Sequence, residues 1–240
     1  MLSLISTPIG NLDDISLRAI DVIKSADFIY TEDTRSFKKI LDSIECKKKC
    51  KSFHEHNEDI ICKEIIKHLK NKKHVVLTCE AGTPAISDPG YKLIRECLNL
   101  NLKYTLIPGP SSLINAVVLS GLPTDKFSFY GFIPKKNNAQ HKLFQKVSND
   151  EKTAIMFESV KRLKKTIISI SKHLDNNRHI SVCREMTKIH EQIVQGNCED
   201  LLKKIDCGSL PLKGEIVLVI EGNTTNTVSY THLTLPTIAV

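Results

Sequence analysis

Three glycine- and proline-containing loops each follow a short apolar run. They are Thr7-Pro8-Ile9-Gly10-Asn11, then Ala81-Gly82-Thr83-Pro84 running on to Ser87-Asp88-Pro89-Gly90, then Pro108-Gly109-Pro110-Ser111-Ser112. Glycine lets backbone approach a ligand closely, and proline fixes φ and removes a competing N–H donor. Together they describe a rigid rim that grips a ligand with backbone amides and carbonyls. None of the loops reads Gly-x-Gly-x-x-Gly or Gly-x-x-x-x-Gly-Lys-Ser/Thr, so a ligand held by its phosphates is disfavoured and a less anionic one fits better.

Loops that act together must share an edge, and the carboxyl ends of parallel strands supply one. Apolar runs at 2–6, 28–31, 75–79 and 104–107 read as strands, interleaved with helical periodicity. Leu17, Ile20 and Ile23 mark one face of a helix over 15–26, and Ile61, Ile65 and Leu69 recur at four-residue steps over 58–69. Helices are also expected near 91–98 and over 113–119, and residues 131–138 as a linker. A second alternating unit follows, with strands at 153–157, 180–183 and 216–220 and an antiparallel neighbour at 191–195. One of its helices carries Val160, Leu163, Ile167 and Leu174, and another covers 201–205. The fold class expected is α/β in two domains, with a mostly parallel sheet over 1–133 and a mixed sheet over 134–225. Residues 228–237 continue neither pattern and resemble a translated transposon-end sequencing adapter, so 226–240 is read as a non-native tail.

Composition sets the outer limits. The 240 residues carry 34 Lys+Arg against 27 Asp+Glu, a net charge of +7, with 41% hydrophobic and 25% charged residues. These are globular values that argue against disordered, fibrous and membrane classes. The uncharged stretch 104–124 is long enough to span a bilayer but is broken by Pro108, Gly109, Pro110, Gly121 and Pro123. Eight cysteines without a Cys-x-x-Cys pair, and a start at 1–6 without a basic leader, point to reduced thiols in the cytoplasm and to no bound metal. The positive balance suits a polyanionic partner, although a solvated lysine-rich surface gives the same number.

The loops also carry a resemblance. Thr7-Pro8-Ile9-Gly10-Asn11-Leu12-Asp13-Asp14-Ile15, Glu32-Asp33-Thr34-Arg35, His54-Glu55-His56-Asn57, Ala81-Gly82-Thr83-Pro84, Ser87-Asp88-Pro89-Gly90 and Pro108-Gly109-Pro110 resemble successive signatures of the ribosomal RNA small-subunit methyltransferase I family, within the tetrapyrrole methylase superfamily. The likeness continues through Gly121-Leu122-Pro123, Gly131-Phe132, Phe157-Glu158-Ser159, Arg184-Glu185-Met186-Thr187-Lys188 and Gly214-Glu215, in order over about residues 1–222. Cys79-Glu80 departs from the Ser-Asp that more commonly precedes Ala-Gly-Thr-Pro; Glu80 keeps the acid but adds a methylene. The resemblance implies two α/β domains with S-adenosylmethionine in the cleft between them, and 2′-O-methylation of a cytidine ribose in the decoding centre of 16S rRNA. It implies a homodimer acting on the small ribosomal subunit. It assigns Pro8, Glu80, Gly82, Thr83, Ser87, Asp88, Ser111, Ser112, Met186 and Glu215 to the cofactor.

Methyl transfer from a sulfonium has a neutral leaving group, so the chemistry asks for alignment and for a base to take the hydroxyl proton. Candidate bases are Glu158, Glu185, His54 and His56, with Lys188 or Arg184 to orient the ribose. Phosphates would be met by Lys47, Lys48, Lys49 and Lys51, by Lys135 and Lys136, and by Lys161, Arg162, Lys164 and Lys165. With 5% aromatic residues and no Trp, a base-stacking platform is not evident. Two rival readings use the same loops: methylation of a tetrapyrrole ring, and a noncatalytic RNA-binding factor.

Overall fold

A computed structural model describes Met1–Asn223, so the tail expected at 226–240 lies outside the described residues. The described residues form two compact units, one of Met1–Leu119 with Cys183–Gln192, the other of Ser120–Val182 with residues 193–223. The boundary expected at 133 therefore falls inside the second unit.

The first unit is built on five strands, β1 (Leu2–Ile5), β2 (Phe28–Thr31), β3 (Cys50–Ser52), β4 (Val75–Thr78) and β5 (Tyr104–Ile107), in the order β3-β2-β4-β1-β5. Every pairing is parallel, with Leu2 level with both Val75 and Tyr104. β1 and β4 are buried along their whole length, as parallel strands covered on both faces must be. The period of two sorts their side chains. Leu2, Leu4, Tyr30, Val75 and Leu77 face α3 (Glu58–Lys70) and α4 (Tyr91–Asn99). Ile5, Ile29, Val76 and Ile107 face α1 (Leu17–Ser25) and α2 (Thr34–Ser43). α5 (Ser112–Leu119) follows β5.

Local departures from expectation have local causes. Ser16 caps α1 by accepting from the Ala19 amide, so the helix starts at Leu17 and turns Leu17 outward at 82% exposure while Ala19 and Ile23 go inside. β3 runs through a lysine-rich segment as an edge strand, where side-chain alternation gives little apolar signal.

The second sheet and its helices comprise β6 (Phe127–Phe132), α6 (Asn137–Asn149), β7 (Thr153–Ser159), α7 (Leu163–Ile170), β8 (Ile180–Arg184), β9 (Gln192–Gly196), α8 (Cys198–Asp206) and β10 (Glu215–Ile220), of which Cys183, Arg184 and Gln192 count with the first unit and the rest with the second. Sheet order is β6-β7-β10-β8-β9, with β6 parallel and β10 antiparallel to β7, hence mixed. The segment 131–138 is not a linker. Gly131, at φ 68°, sits where the β6–β7 register shifts, so the turn-forming dipeptide is a bulge in a strand, and α6 begins at Asn137. Phe144, Met156, Ile167, Val182, Leu201 and Leu218 anchor this unit's own core.

Candidate active site

The three loops lock together at the carboxyl edge of the first sheet. Thr7 and Gly82 exchange backbone hydrogen bonds, N–H to O at 2.8 and 3.0 Å. The Ser6 and Thr83 hydroxyls are 3.0 Å apart, and the Ser6 amide donates to Ile107 O at 3.2 Å. A Cβ on Gly109 would stand 3.1 Å from both Cβ and O of Ser6, which explains a glycine between two prolines there. Pro8 and Gly82 are buried, and Ser111 and Ser112 stand half-buried where α5 begins.

The Arg184–Lys188 motif belongs to the same unit and packs on the first loop. An added Cβ on Gly10 would lie 2.5 Å from Lys188 Cγ, 2.7 Å from Thr187 Oγ1 and 2.9 Å from Met186 O. The Asn11 amide donates to Thr187 Oγ1 at 3.1 Å. The segment holds its own shape: Arg184 donates to Gln192 Oε1 and His190 O, Lys188 pairs with Glu185 at 2.9 Å, and the Thr187 amide donates to Glu191 at 2.7 Å. Glu185 (φ 50°) and Thr187 (φ 65°) are left-handed without being glycine, strain of the kind retained at functional sites. Met186 is buried.

Carboxylates gather at the ends of β2 and β4. Burial first, then the nearby Glu32 charge, raise the Asp88 carboxyl to about 6; the Cys79 thiol pulls the other way by hydrogen bonding, and Glu80 adds repulsion. Burial also raises Glu32, with Glu80 and Glu55 adding repulsion and His54 opposing it. Burial, then Asp88, push the Cys79 thiol up. Ser36 donates to Glu80 Oε1 at 3.4 Å. Beneath them, among the described residues, the buried atoms Thr31 Oγ1, Thr78 Oγ1 and His54 Nδ1 have no hydrogen-bond partner, and the buried Thr7 hydroxyl has only the Cys79 thiol beside it. Buried polar groups are ordinarily satisfied, so the unsatisfied Thr31 and Thr78 hydroxyls at the ends of β2 and β4 are departures from the rule. Sequence patterns assign no role to Glu32, Cys79, Thr31 or Thr78. The acidic Glu32-Asp33-Thr34-Arg35 motif was the available signal, but Asp33 caps α2 and Arg35 is 92% exposed.

The remaining expected residues are dispersed by the structure. His54 is held by its amide to Asn57 Oδ1 at 2.9 Å and lies near Glu32, whereas His56 is exposed and meets His54 edge-on at 5.9 Å. Glu158 is buried with both oxygens committed. Oε1 accepts from the Ser159 amide at 2.7 Å and faces Arg162 at 3.4 Å; Oε2 accepts from Thr166 at 2.6 Å. Those partners tie this carboxylate to the start of α7. Glu215 is exposed at the start of β10, opposite Ser159. Of the basic candidates, Arg162 donates to Ile133 O and Pro134 O, Lys164 is paired with Asp206, Lys51 with Glu64, and Lys48 with Ala26 O. Lys47, Lys49, Lys135, Lys136, Lys161 and Lys165 make none of these contacts and are exposed. All eight cysteines are free thiols. No group of three or more metal-ligating side chains occurs among the described residues, and no described helix is long and apolar enough to cross a membrane.

Comparison with known proteins adds three findings. Residues 1–202 match the family model for tetrapyrrole (corrin/porphyrin) methylases. Three proteins named ribosomal RNA small subunit methyltransferase I are similar over nearly all of the described chain. That of Halalkalibacterium halodurans is 39% identical over 222 residues, covering 92% of this chain and 76% of the relative. That of Rickettsia prowazekii is 42% identical, covering 92% and 78%. That of Hydrogenobaculum sp. is 40% identical, covering 93% and 96%. Two solved structures share the fold at 14% identity: uroporphyrin-III-C-methyltransferase of Thermus thermophilus (TM-score 0.63, covering 92% and 93%) and diphthine synthase (TM-score 0.71, covering 92% and 90%).

Proposed function

The chain belongs to the tetrapyrrole methylase family and, within it, to the ribosomal RNA small subunit methyltransferase I family, and from that premise we propose that it transfers a methyl group from S-adenosylmethionine to the ribose 2′-hydroxyl of a cytidine in the decoding centre of 16S rRNA. We extend the reading to a cytoplasmic homodimer acting on the small ribosomal subunit. The identity of about two residues in five over nine-tenths of the chain carries it.

The residues at the sheet edge fit the methyl donor. It is a cation without phosphates, and the edge offers carboxylates (Glu32, Glu80, Asp88), orphaned hydroxyls and glycine-lined backbone, with no phosphate cradle. Pro8, Gly82, Thr83, Ser87 and Asp88 would hold it, with Ser111, Ser112 and Met186 around them. When bound, it supplies an electrophilic methyl on sulfur. The chain's contribution is alignment: rigid loops cross-linked by the Thr7–Gly82 bridge hold the reactants in line, an effect worth roughly 7–11 kcal/mol where alignment is complete. Displacement releases a neutral thioether, so no acid is needed for the leaving group. The chain must still place a proton acceptor near the attacking hydroxyl.

Radiolabelled methyl transfer tests the reading. Label in 30S subunits, mapped by mass spectrometry to a 2′-O-methylcytidine, is the expected result. Label in a uroporphyrinogen-like ring would move the chain to tetrapyrrole chemistry, and no transfer to either would leave an RNA-binding role.

The freely exposed lysines are expected to grip the RNA. Replacing Lys135, Lys136, Lys161 and Lys165 together with Ala should weaken binding to 16S rRNA and flatten the slope of log K against log salt by up to about 3. Donor affinity should not change. Arg162 and Lys164 are left out because their head groups already serve protein acceptors. An unaltered salt slope would remove these lysines from the interface.

A further inference from the structure

Two histidines of the second unit converge although 32 positions separate them. His141 Nδ1, on α6, stands 2.5 Å from His173 Nε2, in the turn that follows α7, and the rings meet edge to face with centroids 4.7 Å apart. Each helix sets its own histidine. Gln140, Phe144 and Val147 are the buried residues of α6, which leaves His141 on the flank, exposed. The His173 amide donates to Ile170 O at 2.9 Å, and Leu174 beside it is buried. The His173 ring is held on two sides. Phe144, fully buried, lies 5.9 Å from it, and its Nδ1 is 2.8 Å from Ser169 O. A carbonyl only accepts, so Nδ1 carries a proton and, in the neutral ring, Nε2 is left with a lone pair aimed at His141. Two nitrogens this close share one proton, and His141 Nδ1 supplies it.

A ring fixed by its N–H to a backbone carbonyl, with the other nitrogen turned toward a second imidazole, is the arrangement by which proteins orient histidine metal ligands. We propose that His141 and His173 form a two-ligand site for one late first-row divalent cation, Zn²⁺, Cu²⁺ or Ni²⁺, which clamps α6 to the end of α7. Imidazole nitrogen suits these ions, whereas Mg²⁺ and Ca²⁺ take oxygen. Nitrogens bound at about 2.0–2.1 Å stand roughly 2.8–3.4 Å apart, from square to tetrahedral geometry. The pair therefore has to open by less than about 1 Å, which the exposed His141 achieves by turning aside without disturbing the core. The ion takes the place of the shared proton. Both lone pairs go to the metal, the His141 proton moves from Nδ1 to the exposed Nε2, both rings stay neutral, and water fills the remaining positions. With two protein ligands the site lies below the three-ligand groups, of which there is none among the described residues.

The test is calorimetric titration of the full chain with Zn²⁺ alone at neutral pH. Whatever the free thiols take up, one site should be weakened by roughly tenfold or more in His141→Ala and in His173→Ala alike. Because His141 is exposed, H141A should keep the wild-type melting temperature without metal, so that a lost site is not a lost fold. Zn²⁺ that bridges the two helices binds the folded chain in preference to the unfolded one. It should therefore raise the wild-type melting temperature by several degrees and that of H141A by clearly less. Electron paramagnetic resonance with Cu²⁺ as the probe should count two imidazole nitrogens on one ion in the wild type and fewer in either variant. A Zn²⁺ isotherm that both variants leave unchanged would overturn the site. So would Mg²⁺ binding lost in the same two variants, or a Cu²⁺ spectrum that H141A does not alter.

Discussion

Gly10→Val is expected to remove donor binding and to lower stability together. Any Cβ at this position falls 2.5 Å from Lys188 Cγ, 2.7 Å from Thr187 Oγ1 and 2.9 Å from Met186 O. The lysine can swing aside, but Met186 O is backbone and Thr187 is already at φ 65°, so neither yields without moving the segment. Moving it breaks the Asn11–Thr187 hydrogen bond of 3.1 Å that ties the first loop down. Overpacking of this kind costs about 1–3 kcal/mol. Because Thr7 on the same loop is bridged to Gly82, displacement should spread to the Ala81–Pro84 turn. Calorimetry with S-adenosylmethionine should show at least a tenfold loss of affinity, about 1.4 kcal/mol. Gly10→Ala should act in the same direction but less, and adding Lys188→Ala to it, which deletes the nearest atom, should restore part of the lost melting temperature. Donor affinity unchanged in G10V would mean that the first loop does not touch the donor.

The contrast between what the sequence announces and what it hides follows from where each signal is written. Strands β1, β2 and β4 are legible because a parallel strand covered on both faces is a continuous apolar run, and β5, an edge strand with Tyr104 and Leu106 exposed, because its composition is apolar all the same. The three loops are legible because glycine and proline are needed there by backbone geometry, as the Gly10 and Gly109 approaches confirm. β3 is hidden because an edge strand of Cys-Lys-Ser offers no apolar periodicity, and β6 because Gly131 at a bulge looks like a turn. At the site, the Asp88–Glu32 pair depends on neighbours that are 56 positions away in sequence, and no local pattern encodes a charge raised by burial. Glu158 shows the converse: a motif acid offers itself as a candidate base, and only the fold reveals its burial and its Thr166 partner.

That distinction makes Glu158→Ala the sharpest stability experiment in the second unit. The carboxylate is 1% exposed and satisfies the Ser159 amide, the Thr166 hydroxyl and the Arg162 guanidinium, which is itself 27% exposed. Truncation leaves the buried Thr166 hydroxyl without its acceptor, an orphan that costs about 1–3 kcal/mol, while the amide of the exposed Ser159 can turn to water. A loss of about 3–5 kcal/mol is expected, the range for removing one member of a buried pair. Urea unfolding followed by circular dichroism measures it. Glu158→Gln keeps an acceptor for Thr166 and should lose less. The double variant Glu158→Leu with Thr166→Val replaces both polar partners by apolar ones and should recover part of the deficit, because no hydroxyl is then left wanting. Methyl transfer per folded E158Q molecule should match the wild type across the pH range. A hundredfold loss of turnover in folded, donor-binding E158Q would instead return this carboxylate to the chemistry.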